Sequence, residues 1–416
     1  MSAIKFEFLK DKLYLLIPML CVVLWAFLYL IMQDFKIHQG EFKGDFYVLY
    51  NAGKVLLNNP SDLYNPENRY YYLPVFAMIV SITFSLLPFF IADNAFYIMN
   101  IIFGILFTYE FNRILILMDL IEKKLRFLFL IIISNGFHVY HLFYFNQFKY
   151  IIGFLLFFII RRELQYRKEE REKNLKFYLL NLFLFALVIA IFPFFIFLLL
   201  IYIFNDIHIA DIFKMANIRI YLIVISIFLI QNFLFIVFPS FILKSFELFT
   251  LHSQNELGSF SIFYLSSFEW YNISDYLIIN LISSLIIGFI TILLIFNKNL
   301  KVEFKFSYFS LACIIFSTYA SRALLILFPF TLLLYIPFLY QNEKGINFIK
   351  HNIIILIALI SVLSINMAPP SITILKYFSE LEGSIFFLLY QCLKLICVSV
   401  LVISILILKL KIRDKK

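Results

Sequence analysis

The sequence predicts an all-α, polytopic integral membrane protein with about twelve transmembrane helices, on three observations. Of its 416 residues, 63% are hydrophobic and 15% are charged, whereas a soluble chain is about half apolar and about a quarter charged. Long apolar runs recur along the chain without the alternation of membrane β-strands, which are about 10 residues long. Aromatic residues make up 20% of the chain. The apolar surface of so many large side chains is more than a soluble domain of this length could bury. Soluble enzymes, nucleic-acid-binding proteins and disordered scaffolds are therefore excluded.

The apolar runs are expected to be helices, because backbone N–H and C=O groups within hydrocarbon must be paired internally. No small-residue cleavage site follows the first run, which predicts a retained helix rather than a signal peptide. In chain order, the predicted spans are 13–32, 73–90, 95–118, 127–144, 148–160, 177–204, 218–238, 276–296, 306–320, 323–340, 353–367 and 384–408.

Residues 1–416 are predicted to form a single membrane domain with two long polar loops, 33–72 and 239–275. The patch FYVLYNAGKVLL in the first loop has apolar residues at helical spacing, which predicts an interfacial helix lying on the membrane. Loops of this length in a compact protein usually carry function. Functional residues are therefore expected first in these two loops.

The basic residues predict the orientation, because cytoplasmic loops carry an excess of Lys and Arg. Lysines and arginines at both termini place both ends in the cytoplasm, and an even number of spans then puts both long loops on the outer face. The loops 297–305 and 341–352 fall inside, as their lysines require. Residue usage rich in Ile, Phe, Lys and Asn indicates a bacterial plasma membrane, with the outer loops on the periplasmic or extracellular face.

Two basic segments contradict this orientation. The KKLR run at 123–126 and the run RRELQYRKEEREKNLK at 161–176 both fall outside when twelve spans are counted. Two explanations are open: the short stretches between 127 and 160 are re-entrant, or the basic-residue rule fails there.

The net charge, the histidines and the cysteines argue against nucleic-acid binding, a metal site and a disulfide framework. A formal charge of +9 is explained by basic loops that face anionic headgroups, so membrane lipids are expected partners and nucleic acid is not. His138 and His141 are three residues apart but have no third ligand nearby, so no metal is predicted, and no cofactor is implied. All four cysteines lie in apolar stretches and none forms a CxxC pair, which argues against a disulfide framework: Cys21, Cys313, Cys392 and Cys397.

Asp45 opens the amphipathic patch of the first loop. A carboxylate held beside a reacting hydroxyl can act as a general base. The alternative is that Asp45 caps the helix that follows it. The chemistry of this residue alone leaves both interpretations open.

The surrounding motif favours the catalytic interpretation. It consists of an Asp followed by aromatic residues, a small-residue step, a turn, and an aromatic-x-x-Pro that enters the second span. These positions are Asp45, Phe46, Tyr47, Tyr50, Ala52, Gly53, Asn58, Tyr64, Tyr71, Tyr72 and Pro74. The stretch resembles the opening of glycosyltransferase family 87, polytopic GT-C enzymes that use polyprenyl-phosphate sugar donors. The eukaryotic enzymes that add the first mannose of GPI anchors are distantly similar here.

Two weaker marks extend the resemblance over residues 40 to 200. The family's Gln-x-Asn is kept at Gln147, while Lys149 stands where the Asn would be. The family's Lys-x-x-Pro is kept at Pro193, while Ala190 stands where the Lys would be. Lys149 is a candidate to supply that missing cation from the neighbouring segment.

The resemblance implies a GT-C-like fold and an inverting transfer of a sugar, mannose first among the alternatives, to a lipid or glycan acceptor. Asp45 would take the proton of the acceptor hydroxyl while the sugar leaves through an oxocarbenium-like transition state. The leaving lipid phosphate needs donors and cations. The candidates for binding it are Arg322, Lys149, Gln147 and Arg69; those for acceptor binding or proton relay are His252 and Tyr72.

Two alternatives to an enzyme are open. One is a transporter or flippase of lipid-linked sugars, although such proteins tend to show internal repeats and this chain has none. The other is a non-catalytic assembly subunit, which the departures at Ala190 and Lys149 favour. Asp45 discriminates, because an inactive relative has no reason to keep it.

Overall fold

The computed structural model describes residues 13–28, 30–31, 45–65, 70, 72–120, 122–135, 143, 148–206, 215–245, 273–316 and 327–336. Within these ranges the chain is helical and contains no strand, which confirms the all-α fold class. The predicted spans 353–367 and 384–408 lie outside the described residues.

Thirteen helices are named in chain order. They are α1 (Leu13–Leu28), α2 (Asp45–Asn58), α3 (Pro74–Val80), α4 (Phe89–Leu117), α5 (Lys123–Ser134), α6 (Lys149–Lys168), α7 (Leu175–Ile191), α8 (Ile196–Asp206), α9 (Met215–Gln231), α10 (Phe233–Val237), α11 (Ile273–Phe296), α12 (Val302–Phe316) and α13 (Phe328–Leu332).

The predicted span 73–90 is not one crossing helix. α3 ends at Val80, a π-helical turn follows over Ser81–Ser85, and Pro88 precedes α4. Proline lacks an N–H and its ring excludes the preceding turn, so a helix cannot run straight through Pro88. The Phe84 ring meets Phe96 of α4 edge-on, at 5.6 Å between centroids. The segment therefore turns back beside the start of α4.

The other end of this segment lies at the same end of the bundle. The rings of Tyr72 and Phe76 contact Phe148, immediately before α6, at 5.1 and 5.2 Å. Both ends of the segment 72–88 thus lie where α4 and α6 begin. The segment enters and leaves the bundle at one end, so the single helix predicted over 73–90 is wrong.

The predicted span 177–204 is also divided. α7 ends at Ile191, Phe192 is extended (φ −141°, ψ 94°), and α8 begins at Ile196 after a short 3₁₀ turn. The residue before a proline disfavours the helical conformation, and Pro193 imposes this on Phe192. α8 then returns along α7, where the rings of Phe185 and Tyr202 are 5.2 Å apart.

α4 and α6 run parallel and form the most extensive helix pair among the described helices. Ring centroids are 5.4 Å apart between Phe103 and Phe154 and 4.7 Å apart between Phe107 and Phe157. Their contacts therefore advance in the same direction along both helices. A parallel pair needs a return connection, which α5 begins.

α1 runs antiparallel to α4. The Tyr97 hydroxyl donates a hydrogen bond to the carbonyl of Ala26, 2.5 Å away. About two turns further along α4, a Cβ added to Gly104 would lie 2.7 Å from Cγ1 of Val22 and 3.1 Å from the Tyr150 ring. Only a glycine allows α1, α4 and α6 to meet this closely.

The helix directions define two ends of the bundle. We call the end with α2, α3 and the starts of α4 and α6 the first-loop end. At the opposite end, Lys168 pairs with Asp119 (2.6 Å) and Arg167 with Glu303 (2.6 Å). These pairs bring the turns 118–120, 169–174 and 297–301 together, and we call this the basic end. The basic segments 123–126 and 161–176 thus lie opposite the first loop.

Large apolar side chains point outward from the helices at the periphery. They include Leu24 of α1, Ile98 of α4, Phe183 of α7, Ile230 of α9 and Leu285 of α11, each more than half exposed. Water-facing helices carry polar residues on such a face, whereas membrane-facing helices do not. In the described part of the chain one helix, α4 with 29 residues, is long and apolar enough to cross a membrane.

Candidate functional site at the first-loop end

Asp45 is the first residue of α2, so the patch predicted as a helix does form one. Phe46, Leu49 and Tyr50 are buried along one face of α2, while Lys54 and Leu57 are exposed. The Phe46 ring stacks on Phe96 of α4 at 4.3 Å, which fixes the start of α2 against the bundle.

α2 is held against the π-helical turn by a close backbone approach at Gly53. A Cβ at this position would lie 2.1 Å from Oγ of Ser85 and 3.0 Å from the Ser81 backbone. The Ser85 hydroxyl donates to the carbonyl of Tyr50 (2.9 Å), and the Tyr50 hydroxyl donates to the carbonyl of Leu87 (2.7 Å). The motif residues Tyr50 and Gly53 thus position the helix that begins with Asp45.

Two buried tyrosines order the end of the first loop. The Tyr64 hydroxyl donates to the carbonyl of Tyr72 (2.8 Å), and the Tyr70 hydroxyl donates to the carbonyl of Leu73 (2.7 Å). Burial raises the pKa of both Tyr64 and Tyr70, so both hydroxyls stay neutral and keep donating. Tyr72 is half-buried between them and α6.

The N-terminus of α6 carries a buried cation. Lys149 is the first residue of α6 and is 5% exposed. A lysine here lies at the positive end of the helix dipole, where anions rather than cations are stabilised. The N-terminus of α6 therefore favours an anion at this end, and Lys149 adds a positive charge to the same turn.

Three of the predicted site residues belong to this one end. Lys149 and Tyr72 both lie next to Phe148, and Asp45 begins α2, which packs on the start of α4 through Phe46 and Phe96. The ring contacts are Phe46–Phe96 (4.3 Å), Tyr97–Phe143 (5.7 Å), Phe143–Tyr150 (5.5 Å) and Tyr72–Phe148 (5.1 Å). The remaining candidates lie outside the described residues: Arg69, Gln147, His252 and Arg322.

Ala190 and Pro193, the second weaker match to the family, lie at the end of α7. Ala190 is buried in the last turn of α7, and Pro193 begins the 3₁₀ turn that divides α7 from α8. The proline therefore has a structural role in ending α7. Compensation of Ala190 by Lys149 stays a prediction.

Sequence reasoning missed the buried ion pairs of the basic end. Glu110 of α4 pairs with Arg161 of α6 at 2.5 Å, and both side chains are largely buried. Glu303 of α12, 2% exposed, accepts two hydrogen bonds from the Arg167 guanidinium, at 2.6 and 3.1 Å. These pairs join α6 to helices far away in the chain.

A third buried carboxylate extends this network. Glu163 of α6 pairs with Lys173 (2.6 Å) and accepts a hydrogen bond from the Tyr202 hydroxyl (2.6 Å). Asn181 of α7 donates to Tyr202 (2.8 Å) and accepts from Arg162 (2.9 Å). The signal was available in the sequence, because a carboxylate within an apolar run is expected to have a partner.

Among the described residues, no group of three or more His, Cys, Asp or Glu could hold a metal ion. Comparison with protein-family models, with curated proteins and with solved structures finds no match to this chain. The function is therefore argued from the residues and their arrangement.

Proposed function

We propose that this chain is an integral membrane glycosyltransferase that moves a sugar from a polyprenyl-phosphate donor to a lipid or glycan acceptor. The observation that carries the proposal is the shared location of Asp45, Tyr72 and Lys149 at the first-loop end. A base for the acceptor and a cation for the donor phosphate then lie at the same end of the bundle.

In the proposed reaction, the bond from the anomeric carbon to the donor phosphate breaks and a bond to the acceptor oxygen forms. Asp45 accepts the proton of the acceptor hydroxyl as that oxygen attacks. Lys149 and the N-terminus of α6 stabilise the negative charge that develops on the leaving phosphate. A single carboxylate and direct displacement give inversion at the anomeric carbon.

The membrane arrangement follows from the two corrected spans. Keeping 73–90 at the first-loop end removes one crossing, and dividing 177–204 into α7 and α8 adds one, so we retain about twelve crossings. In this arrangement the cytoplasmic side carries both termini and the four basic segments 123–126, 161–176, 297–301 and 341–352. The basic segments then all lie on the cytoplasmic side, as the basic-residue rule requires. Neither re-entrant stretches between 127 and 160 nor a failure of the rule is needed.

The activity is tested with a radiolabelled polyprenyl-phosphate sugar, mannose first, and the purified chain in proteoliposomes that also contain a membrane extract as acceptor. Transfer of label to a lipid or glycan product supports the enzyme. Movement of intact donor between the leaflets without transfer supports a flippase and contradicts the proposal.

Asp45→Asn keeps the size of the side chain but removes its basicity. We expect transfer to fall by about 10²–10⁴-fold, the usual contribution of a general base, with donor binding retained. Asp62→Asn is the matched control, because Asp62 lies exposed in the same loop, where it accepts a hydrogen bond from the Asn59 amide. Near-normal transfer by a folded Asp45→Asn protein would remove Asp45 from the mechanism.

A further inference from the structure

A groove of about 310 Å³ lies between α11 and α12, near the basic end. Its walls are apolar and come from Leu293, Leu294, Leu311, Ala312 and Phe316. Leu293 is 52% exposed, so the groove opens at the periphery of the bundle. In the membrane arrangement of the proposed function, on which this point rests, that opening faces hydrocarbon.

The turn between α11 and α12, which supplies Asn297 and Leu300 to this groove, is polar and basic. Asn297 lines the groove, and Lys298 and Lys301 follow in the same turn, all three exposed. The Lys298 ammonium donates to the carbonyl of Phe204 (2.9 Å), which holds this lysine at the end of the bundle. The carboxylate of Glu303 is engaged by Arg167, so it does not cancel the charge of this turn.

An apolar groove that ends in lysines at a membrane boundary matches the two parts of an anionic phospholipid. One hydrocarbon chain of the phospholipid would pack against the apolar walls of the groove, and its anionic headgroup would contact the lysines. A second groove, between α7, α8 and α9, makes a useful contrast, because its walls are apolar except for Gln231. The charged turn is what selects a headgroup.

We propose that the groove between α11 and α12 binds an anionic phospholipid of the cytoplasmic leaflet, with one chain between the helices and the headgroup at Lys298 and Lys301. This site lies at the opposite end of the bundle from Asp45, so its occupant is separate from the sugar donor. The lipid would hold the α11–α12 hairpin in the membrane at a fixed depth.

The test uses the full chain in phosphatidylcholine nanodiscs with a titrated fraction of phosphatidylglycerol, and native mass spectrometry counts the retained lipid. We expect retention of phosphatidylglycerol over phosphatidylcholine. Lys301→Gln should weaken that retention about fivefold, the effect of one lysine near an anionic surface. Leu293→Trp, which fills the opening of the groove without changing charge, should weaken the retention of both lipids.

Lys124→Gln is the matched control, since Lys124 is exposed at the same end but belongs to α5. It removes the same charge and should leave retention unchanged. Equal losses with Lys124→Gln and Lys301→Gln, or displacement of the lipid by inorganic phosphate, would overturn the proposal. The measurement needs no sugar donor, so a chain without transferase activity that retains phosphatidylglycerol still supports the inference.

Discussion

At the residue scale, the first-loop motif combines positioning residues with a candidate base. Tyr50 and Gly53 hold α2 against the π-helical turn, and this contact fixes where the helix that starts with Asp45 can lie. The importance of Gly53 is therefore in its missing side chain rather than in backbone freedom, because it lies within a helix.

Gly53→Ala should lower the thermal stability of the purified chain. The new Cβ would lie 2.1 Å from Oγ of Ser85, and the backbone of Ser81 also limits any shift, so we expect a loss of about 1–3 kcal/mol. The midpoint of thermal unfolding in detergent measures the change.

Gly288→Ala is the control for this substitution. Gly288 is also within a helix, α11, and a Cβ there would meet nothing within 4 Å. Ala is the better helix former by about 0.5–1 kcal/mol, so this variant should be at least as stable as the original chain. A larger loss from Gly288→Ala than from Gly53→Ala would contradict the close approach at Gly53.

The sequence predicts α2 and its start well but not what lies beside it. Helical spacing in the patch after Asp45 is a local property, and the structure confirms the helix. The approach of Tyr72 to Phe148 is not local, because it depends on how α3 folds back between the two segments. No sequence pattern around Tyr72 or around Phe148 indicates that these two rings are in contact.

At the element scale, two predicted spans were misread for the same physical reason. Hydropathy measures only how apolar a run is, so a single proline within an apolar run does not divide the predicted span. Pro88 and Pro193 break the backbone hydrogen bonding of their runs, and the chain reverses at both places. Proline position is thus the sequence signal that would have divided these runs.

α6 is the element that ties the basic end together. It was predicted to end at 160, yet it continues to Lys168, and its last turns pair with α4, α8 and α12. A basic run read as a loop is therefore a helix, with buried carboxylates from other helices as partners. The sequence shows those carboxylates but not which cation each one meets.

Arg167→Met should destabilise the chain strongly. The substitution leaves the carboxylate of Glu303 buried without its guanidinium partner, which costs about 3–5 kcal/mol. Lys168→Met is the matched comparison, because the Lys168–Asp119 pair is about half exposed and should be worth less than about 1 kcal/mol. Unfolding in a denaturing detergent compares the two.

The double variant Arg167→Met, Glu303→Leu tests the cause of that loss. Removing both charges replaces the pair by apolar groups and should recover most of the stability lost by Arg167→Met. If the double variant is less stable than Arg167→Met alone, the buried carboxylate is not the cause.

At the scale of the whole molecule, the two corrections act together. Because two of the apolar runs are not single helices, the end of the bundle at which each connection lies differs from the order that uninterrupted spans would give. Hydropathy finds the apolar runs, whereas the direction of each helix depends on contacts such as Phe103–Phe154. The structure describes a bundle whose candidate site and basic surface lie at opposite ends.

The central claim, that these ends face opposite sides of a membrane, is tested most directly by cysteine labelling of cells. In a background without native cysteines, single cysteines replace Asn58 at the first-loop end and Lys124 or Lys301 at the basic end, all exposed. A membrane-impermeant thiol reagent should label Asn58→Cys in intact cells, and Lys124→Cys and Lys301→Cys only after permeabilisation. Labelling of Lys124→Cys together with Asn58→Cys in intact cells would contradict the account.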